Sequence, residues 1–351
     1  MSILDEQPGT TFPAPAGSFA PAPPERRGVA RDGVRLLVAT GDGIRHDRFR
    51  GLPDHLRAGD VVVVNDSATQ PRQLDAELVG RGPVVLHLAT PLDDGSWVVE
   101  LRTAPYAERA VLDAAPDDLV RTGGAALRLV EPYPSRSSPT GRGNRLWRAA
   151  VDGPLAREAA RSGRPIAYGY LDRRYPLSAY QTVFARRPGS AEMPSAGRPF
   201  SHRVVTELVA RGLAIAPITL HTGVSSQEAG EGPQPERFEV PAATARLVAA
   251  ARAGGGRVVA VGTTVTRALE SAVDHRGRLA PARGWTERVI TPADPPRVVD
   301  GLISGWHDPH ASHLLLVEAV AGAELTQAAY DAAVGHGYLW HEFGDAGLLL
   351  P

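Results

Sequence analysis

The chain has 351 residues, 43% of them hydrophobic and 22% charged, with a formal net charge of −1 at pH 7, as expected for a globular protein of about two domains. It contains no cysteine, and its 38 basic residues are all arginine, which excludes disulfides, thiolate chemistry, lysine Schiff bases and a P-loop. The near-zero charge limits any contact with a polyanion to a local arginine patch.

The first part of the chain predicts a lead-in followed by strands. Residues 1–24 are rich in Pro, Ala and Gly, and we expect a flexible N-terminal lead-in there. They lack the basic start and apolar block of a signal peptide, and no stretch reaches about 18 apolar residues, so we expect a cytoplasmic protein without a membrane partner. Arg35–Thr40 predicts a strand that turns at Asp42-Gly43, and Val61–Val64 predicts a buried strand.

The rest of the chain changes character twice. From about Leu74 to Arg164, short apolar runs separated by Gly, Pro and Asp predict a small β-barrel or sandwich. After Pro165, strands alternate with helices, which predicts a mostly parallel sheet. The strands are expected at 213–220 and 257–261, and the helices after Ser201 and at 242–253, 264–273, 314–321 and 325–334. We therefore predict an α/β protein with a mixed α/β main domain, 25–73 plus 166–351, and an inserted small β-barrel domain, 74–165.

Polar residues follow three of the predicted strands, where ligands of open α/β sheets bind. Gly262-Thr263-Thr264 begins a helix, with Arg267 and Glu270 one turn on, and could hold a carboxylate or a ribose. His221 follows another strand and could serve as a general acid or base. Asn65 and Asp66 end a third. An ordinary capped helix, a histidine bonded to backbone and an Asx turn are the alternatives that these local patterns leave open.

Two further clusters have both a functional and a plain structural interpretation. His307, His310 and His313 have a spacing that suggests a metal, but Pro309 interrupts the run and no thiolate exists, so we predict no metal and expect His307 alone to line a pocket. Small residues at Ser195, Ala196 and Gly197 permit close approach to a ligand. The remaining cluster suits phosphate contacts or is a solvated surface, and it consists of Arg173, Arg174, Arg186 and Arg187.

Taken together and in this order, several stretches resemble the S-adenosylmethionine:tRNA ribosyltransferase-isomerase family of queuosine biosynthesis. They cover both ends of the chain, and the predicted barrel falls where that family carries its β-barrel domain. The matching stretches are RLLVAT, GDVVVVNDSATQPRQL, AYQTVFARRPGSAEMPSAG, ITLHTG, PERFEVP, RVVAVGTTVTRALES, RVVDGLISGWHDP and FGDAGLLL.

The resemblance implies transfer of the ribosyl part of S-adenosylmethionine, as co-substrate, to a 7-aminomethyl-7-deazaguanine in tRNA, with rearrangement and loss of adenine and methionine, and without a metal. The sulfonium acidifies the ribose 5′ carbon, so a positioned base and an acid are needed. The resemblance implies His221, Asp66 and Glu236 as titrating groups. It implies a substrate-binding set of Asn65, Gln181, Thr182, Ser195, Ala196, Gly197, Gly223, Gly262, Thr263, Thr264, Arg267, Glu270 and His307, and tRNA contacts at Arg173, Arg174, Arg186 and Arg187.

The chain departs from the family pattern at several polar positions. Arg198-Pro199 replaces Leu-His, Gln234 replaces a histidine, and Gly305 replaces an asparagine. These changes leave two alternatives open. The chain could be a divergent S-adenosylmethionine-dependent enzyme with a small-molecule or other nucleobase acceptor, or a non-catalytic nucleotide- or RNA-binding relative.

Overall fold

The computed structural model describes residues 6–13, 17–134, 141, 143–225, 231–309 and 311–351. Parts of the predicted lead-in, 1–5 and 14–16, lie outside the described residues, as does His310 of the predicted histidine cluster.

The described residues form strands and helices in the alternation that the sequence predicts. The strands are β1 (Arg35–Thr40), β2 (Gly43–Arg48), β3 (Val61–Asn65), β4 (Ser67–Thr69), β5 (Gln73–Leu78), β6 (Gly82–Pro91), β7 (Trp97–Thr103), β8 (Leu119–Thr122), β9 (Ala125–Pro132), β10 (Leu146–Asp152), β11 (Arg187–Ser190), β12 (Ala214–Leu220), β13 (Glu236–Val240), β14 (Val258–Val261), β15 (Ala282–Thr286), β16 (Gly301–Ser304) and β17 (Ala346–Leu350). The helices are α1 (Leu155–Ser162), α2 (His202–Ala210), α3 (Ala242–Ala253), α4 (Thr263–Ser271), α5 (His313–Ala321) and α6 (Ala323–Gly335).

A nine-stranded sheet in the order β15-β13-β12-β3-β14-β16-β17-β1-β2 forms the main domain. Its central strand β3 is buried along its whole length, as its run of valines predicts. Parallel pairing joins β12, β3, β14 and β16, and also β17 and β1. The other pairs are antiparallel, so among the described strands parallel pairs do not outnumber antiparallel ones, and the prediction of a mostly parallel sheet is wrong. For β1 and β2 the reason is local, because a tight turn joins them and forces them to run in opposite directions.

Strands β5 to β10 close into a barrel in the order β10-β7-β6-β5-β8-β9. Its interior is filled by apolar side chains such as Leu74, Leu86 and the fully buried Trp147. The barrel strands run from Gln73 to Asp152, between segments of the main domain. The predicted fold class, a mixed α/β main domain with an inserted small β-barrel, is confirmed.

Described parts of the N-terminal segment pack against the main domain. The backbone N–H of Thr10 donates to the Glu318 carboxylate over 2.6 Å, and Phe19 forms a β-bridge with Trp340. Ala20 and Ala22 are buried. Within the part of the chain that the structure describes, none of the helices has the length and apolar character needed to span a membrane.

Candidate active site

A cavity of about 860 Å³ opens where the carboxyl ends of β14 and β16 meet the barrel. Its wall combines aromatic rings, small residues and titratable groups, a composition typical of a ligand site. The titratable residues on the wall are Arg102, Glu108, Tyr168, Tyr170, Glu192, Glu236, Arg267, Arg288, His307, Asp308, His313, His341 and Glu342. Of the predicted site residues, the wall includes Ser195, Ala196, Gly223, Glu236, Gly262, Thr263, Thr264, Arg267 and His307.

The start of α4 forms one wall of the cavity. Gly262 precedes the helix with a φ of 93°, a left-handed value that favours glycine. A Cβ at Gly262 would also lie 3.2 Å from the Cβ of Ala196, so a side chain there would crowd the turn that carries Ser195. Thr263 and Thr264 stand at the helix N-terminus on the cavity wall. An anionic or hydroxyl group of a ligand could accept hydrogen bonds from their backbone N–H groups there.

An ion pair between Arg267 and Glu236 lies behind this helix start. Glu236 also accepts the N–H of Gly223 over 2.9 Å, and Arg267 donates to the carbonyl of Gln234 over 2.9 Å. Burial raises the pKa of Glu236, although Arg267 and the N–H of Gly223 oppose that rise. The pair therefore holds the Gly223 turn and the segment before β13 against α4. Gln234, one of the positions that depart from the family pattern, lines the cavity and donates to the carbonyl of Val224 over 3.0 Å.

Glu192 also stands on the cavity wall and is a group that sequence reasoning missed. Its carboxylate accepts hydrogen bonds from the Tyr168 hydroxyl and from both the N–H and the hydroxyl of Ser225. Burial raises the pKa of Glu192 to about 7. Glu342 accepts the hydroxyl of Tyr170 on the same side of the cavity. The sequence contained one signal for this group. Glu192 is the single charged residue in the stretch Ala191–Gly197, and acids are rarely buried without a partner.

Two histidines stack on the wall beside Trp306. The Nε2 of His307 lies 3.0 Å from the Ser304 hydroxyl, and burial lowers its pKa well below the ordinary value. Burial likewise lowers the pKa of His313 to about 4. Both rings are thus neutral near pH 7, and each carries one N–H donor and one acceptor nitrogen. Among the described residues, no three acidic or histidine side chains converge in a way that could hold a metal ion.

His221 and Asp66 lie beside the cavity without lining it. The Nδ1 of His221 is 2.8 Å from the Ser67 hydroxyl, which in turn lies 2.6 Å from the Ser190 hydroxyl. Burial lowers the pKa of His221, with Asp66 opposing. Asp66 accepts the hydroxyl of Thr219 over 2.5 Å. Thr222 and Gly223, which follow His221, line the cavity, whereas the His221 side chain is held against Ser67.

Other predicted binding residues join elements near the cavity without lining it. Asn65 donates to the Leu220 carbonyl and accepts its N–H, at 2.8 and 3.0 Å, so it ties β3 to β12. Gln181 pairs with both backbone groups of Thr69. Thr182 packs against Gly197. Glu270 accepts the N–H groups of residues 297–299.

The four predicted tRNA-contacting arginines lie away from the cavity wall. Arg173, Arg174 and Arg186 are exposed, whereas Arg187 is paired with Glu239 at 2.6 Å. Of the other positions that depart from the family pattern, Gly305 lines the cavity. Arg198 lies behind it, where it is buried, donates to the carbonyl of Ala179 and pairs with Glu25 at 3.0 Å.

Comparisons with known proteins agree with this architecture. A sequence model described as "Queuosine biosynthesis protein" matches residues 10–349. The S-adenosylmethionine:tRNA ribosyltransferase-isomerase of Acidiphilium cryptum is 38% identical over 93% of this chain and 96% of its own length. The Thermus thermophilus protein of the same name is 36% identical over 93% and 97%. The crystal structure of the S-adenosylmethionine tRNA ribosyltransferase from Thermotoga maritima shares the fold, with a TM-score of 0.53 and 24% identity over 97% of this chain and 99% of that one.

This chain therefore belongs to the queuosine biosynthesis protein family. The predicted family membership is confirmed.

Proposed function

We propose that this chain is an enzyme that transfers and isomerises the ribosyl moiety of S-adenosylmethionine onto a 7-aminomethyl-7-deazaguanine base in tRNA, releasing adenine and methionine. The observation that carries the proposal is the cavity of about 860 Å³ on a chain of this family. Small-molecule sites occupy about 300–1,000 Å³. The volume therefore has room for a sulfonium nucleoside and for part of a second substrate.

The cavity wall offers a separate feature for each part of S-adenosylmethionine. The helix start at Thr263 and Thr264 suits the methionine carboxylate or the ribose hydroxyls. The neutral His307 ring offers a face and a nitrogen for adenine. Glu192 and Glu342 supply negative charge for the ammonium group of the acceptor base. Arg267 and Glu236 hold the Gly223 turn in place, because each satisfies the charge of the other.

His221 and Asp66 act in this proposal through the strand ends that they join. The hydrogen bonds between His221 and Ser67 and between Ser67 and Ser190 fix the segment that leads to Glu192. We therefore assign His221 a positioning role, with the acid and base chemistry left to groups on the cavity wall. The exposed Arg173, Arg174 and Arg186 are proposed to contact tRNA phosphates in the cytoplasm.

Adenine release tests the proposal directly. The chain is incubated with S-adenosylmethionine, with and without tRNA that bears the aminomethyl base, and adenine is followed by chromatography. We expect release only with the modified tRNA. The names of the relatives support this outcome over the alternatives of a divergent enzyme or a non-catalytic binder. Release without any tRNA would favour a small-molecule acceptor, and binding without release would favour the non-catalytic alternative.

A further inference from the structure

Glu192 and Glu342 are partly buried and differ in their partners from two other acids of the molecule. Glu236 is paired with Arg267, and Glu100 with Arg102 and Arg145. Among the described residues, by contrast, no arginine lies within ion-pair distance of Glu192 or Glu342. Each accepts the hydroxyl of a tyrosine instead.

The two tyrosines place these carboxylates next to each other. The rings of Tyr168 and Tyr170 stack with centroids 6.3 Å apart and planes 26° from parallel. All four side chains line the cavity. Glu342 is close enough to raise the pKa of Glu192 further, after the larger effect of burial. Two like charges in a partly desolvated wall repel each other, and a cation between them removes that repulsion.

The backbone on each side of Glu192 is fixed, so its direction does not depend on a mobile loop. The N–H of Ala191 donates to the Thr222 carbonyl over 2.8 Å, and the Thr222 hydroxyl donates to the Glu192 carbonyl over 2.5 Å. The N–H of Ser225 holds the carboxylate itself over 3.2 Å. These bonds orient the carboxylate towards the cavity before any ligand is present, as a catalytic group requires.

We propose, resting on the function proposed above, that Glu192 is a catalytic residue that accepts the proton of the acceptor's primary ammonium group while Glu342 holds the same group. The ammonium N–H bond breaks and its electron pair stays on nitrogen. The proton goes to the Glu192 carboxylate, which becomes a neutral acid. The resulting neutral amine has the lone pair with which to attack the ribosyl carbon, whereas the ammonium ion has none.

The protonation behaviour of Glu192 fits this role. A primary ammonium group has an ordinary pKa of about 10.4 and an exposed glutamate one of about 4.3, which makes such a transfer unfavourable in water. Burial raises the pKa of Glu192 to about 7, which narrows that gap while leaving a substantial ionised fraction at neutral pH. The charged and titratable groups that face this part of the cavity are Tyr168, Tyr170, Glu342, His341 and Arg102.

The test compares Glu192→Gln with the wild-type enzyme in adenine release from S-adenosylmethionine and aminomethyl-bearing tRNA, at several pH values. At pH 7 we expect kcat/KM for tRNA to fall about 100-fold or more, within the usual range for general-base catalysis. The deficit shrinks towards pH 9.5, because about ten times more free amine is present for each added pH unit. The Kd of S-adenosylmethionine, measured by calorimetry, changes less than about threefold.

Two further variants keep the outcome interpretable. Tyr168→Phe removes a hydrogen bond that favours the ionised form of the Glu192 carboxylate. The pH above which kcat/KM increases should therefore be higher in this variant than in the wild-type enzyme. Glu324→Gln, an exposed glutamate on α6, is the matched control and should leave every parameter unchanged. A fall in kcat/KM for Glu192→Gln that is equal at pH 7 and 9.5 overturns the catalytic assignment of Glu192 and leaves the proposed function intact. A loss of S-adenosylmethionine binding as large as the fall in kcat/KM has the same consequence. No adenine release by the wild-type enzyme contradicts the proposed function and this assignment together.

Discussion

His307 and His313 stack face to face, with ring centroids 4.8 Å apart and planes only 5° from parallel. Burial lowers the pKa of both, the charge of His313 lowers the pKa of His307 further, and the charge of Arg267 lowers that of His313 further. Both rings are neutral at neutral pH, and a proton on either would be held next to the other ring in a largely desolvated wall. The stack therefore links the stability of the cavity to pH.

We expect His313→Phe, which keeps an aromatic ring and removes the titrating nitrogens, to make the free energy of unfolding less dependent on pH below about 6.5. The pKa of His313 is about 4 in the folded chain, below the ordinary histidine value of about 6.5. The unfolded chain therefore binds more protons between these values, and stability falls as the pH drops from about 6.5 to 4. The loss is at most about 3.5 kcal/mol. Urea unfolding at pH 8, 6 and 4.5 measures it, and parallel curves for the two proteins would contradict the prediction.

Arg267→Met should destabilise the fold strongly, because it leaves the Glu236 carboxylate buried without its cation. Breaking one side of a buried ion pair costs about 3–5 kcal/mol. The double variant with Glu236→Gln should recover part of this loss, since glutamine can still accept the N–H of Gly223. A double-mutant cycle from urea unfolding gives the coupling energy. Additive losses would mean that the two side chains act independently.

His221→Ala should weaken binding more than turnover, as its positioning role requires. Loss of the hydrogen bond to Ser67 costs about 1 kcal/mol of stability. We expect the KM for S-adenosylmethionine to rise about tenfold, since 1.4 kcal/mol is a factor of ten, with a smaller change in kcat. His221→Asn, which keeps a polar atom near the Nδ1 position, should show a smaller effect. A fall in kcat of about 10³ with unchanged KM would instead indicate direct acid or base catalysis.

Glu100→Gln should destabilise the junction of barrel and main domain. The fully buried Glu100 accepts from His87, Arg102 and Arg145, over 2.8 to 2.9 Å, and Arg145 also binds Glu231. Although burial opposes it, Arg145 and His87 hold the pKa of Glu100 well below its usual range. The variant removes the anion that Arg102 and Arg145 share, and we expect a loss of about 3–5 kcal/mol in urea unfolding.

The control for this variant is Glu77→Gln, on the exposed surface of the same barrel. It should change the free energy of unfolding by no more than about 0.5 kcal/mol. Equal effects of the two substitutions would show that the buried network contributes little to the junction.

Several elements follow directly from the sequence. The strand Arg35–Thr40 and the helix Ala242–Ala253 have the predicted boundaries. Their apolar patterns are local and end at clear signals, a turn in one case and a run of glycines in the other. The helix predicted to begin at Thr264 begins at Thr263, one residue earlier, because the turn at Gly262 already directs the chain into it.

The candidate site follows from the sequence only in part. The strand-end rule brought Gly262–Thr264 and Gly223 to the cavity, because carboxyl ends of neighbouring strands share one edge of a sheet. The same rule suggested His221, whose side chain the structure directs to the other side of the strand end. Which side of a strand end becomes a cavity wall depends on where the barrel packs, and no local pattern records that.

The amino-acid pattern alone determined the family, the α/β class with its barrel and the ends of the strands around the cavity, since these depend on neighbours in sequence. Only the tertiary structure decided which carboxylates face the cavity and accept a tyrosine hydroxyl where other described acids pair with an arginine. The contact between Tyr170 and Glu342 joins residues 172 positions apart, and that between Ala191 and Thr222 joins two loops. Such contacts form only when the sheet and the barrel pack together, because burial and charge at a point come from every segment that reaches it.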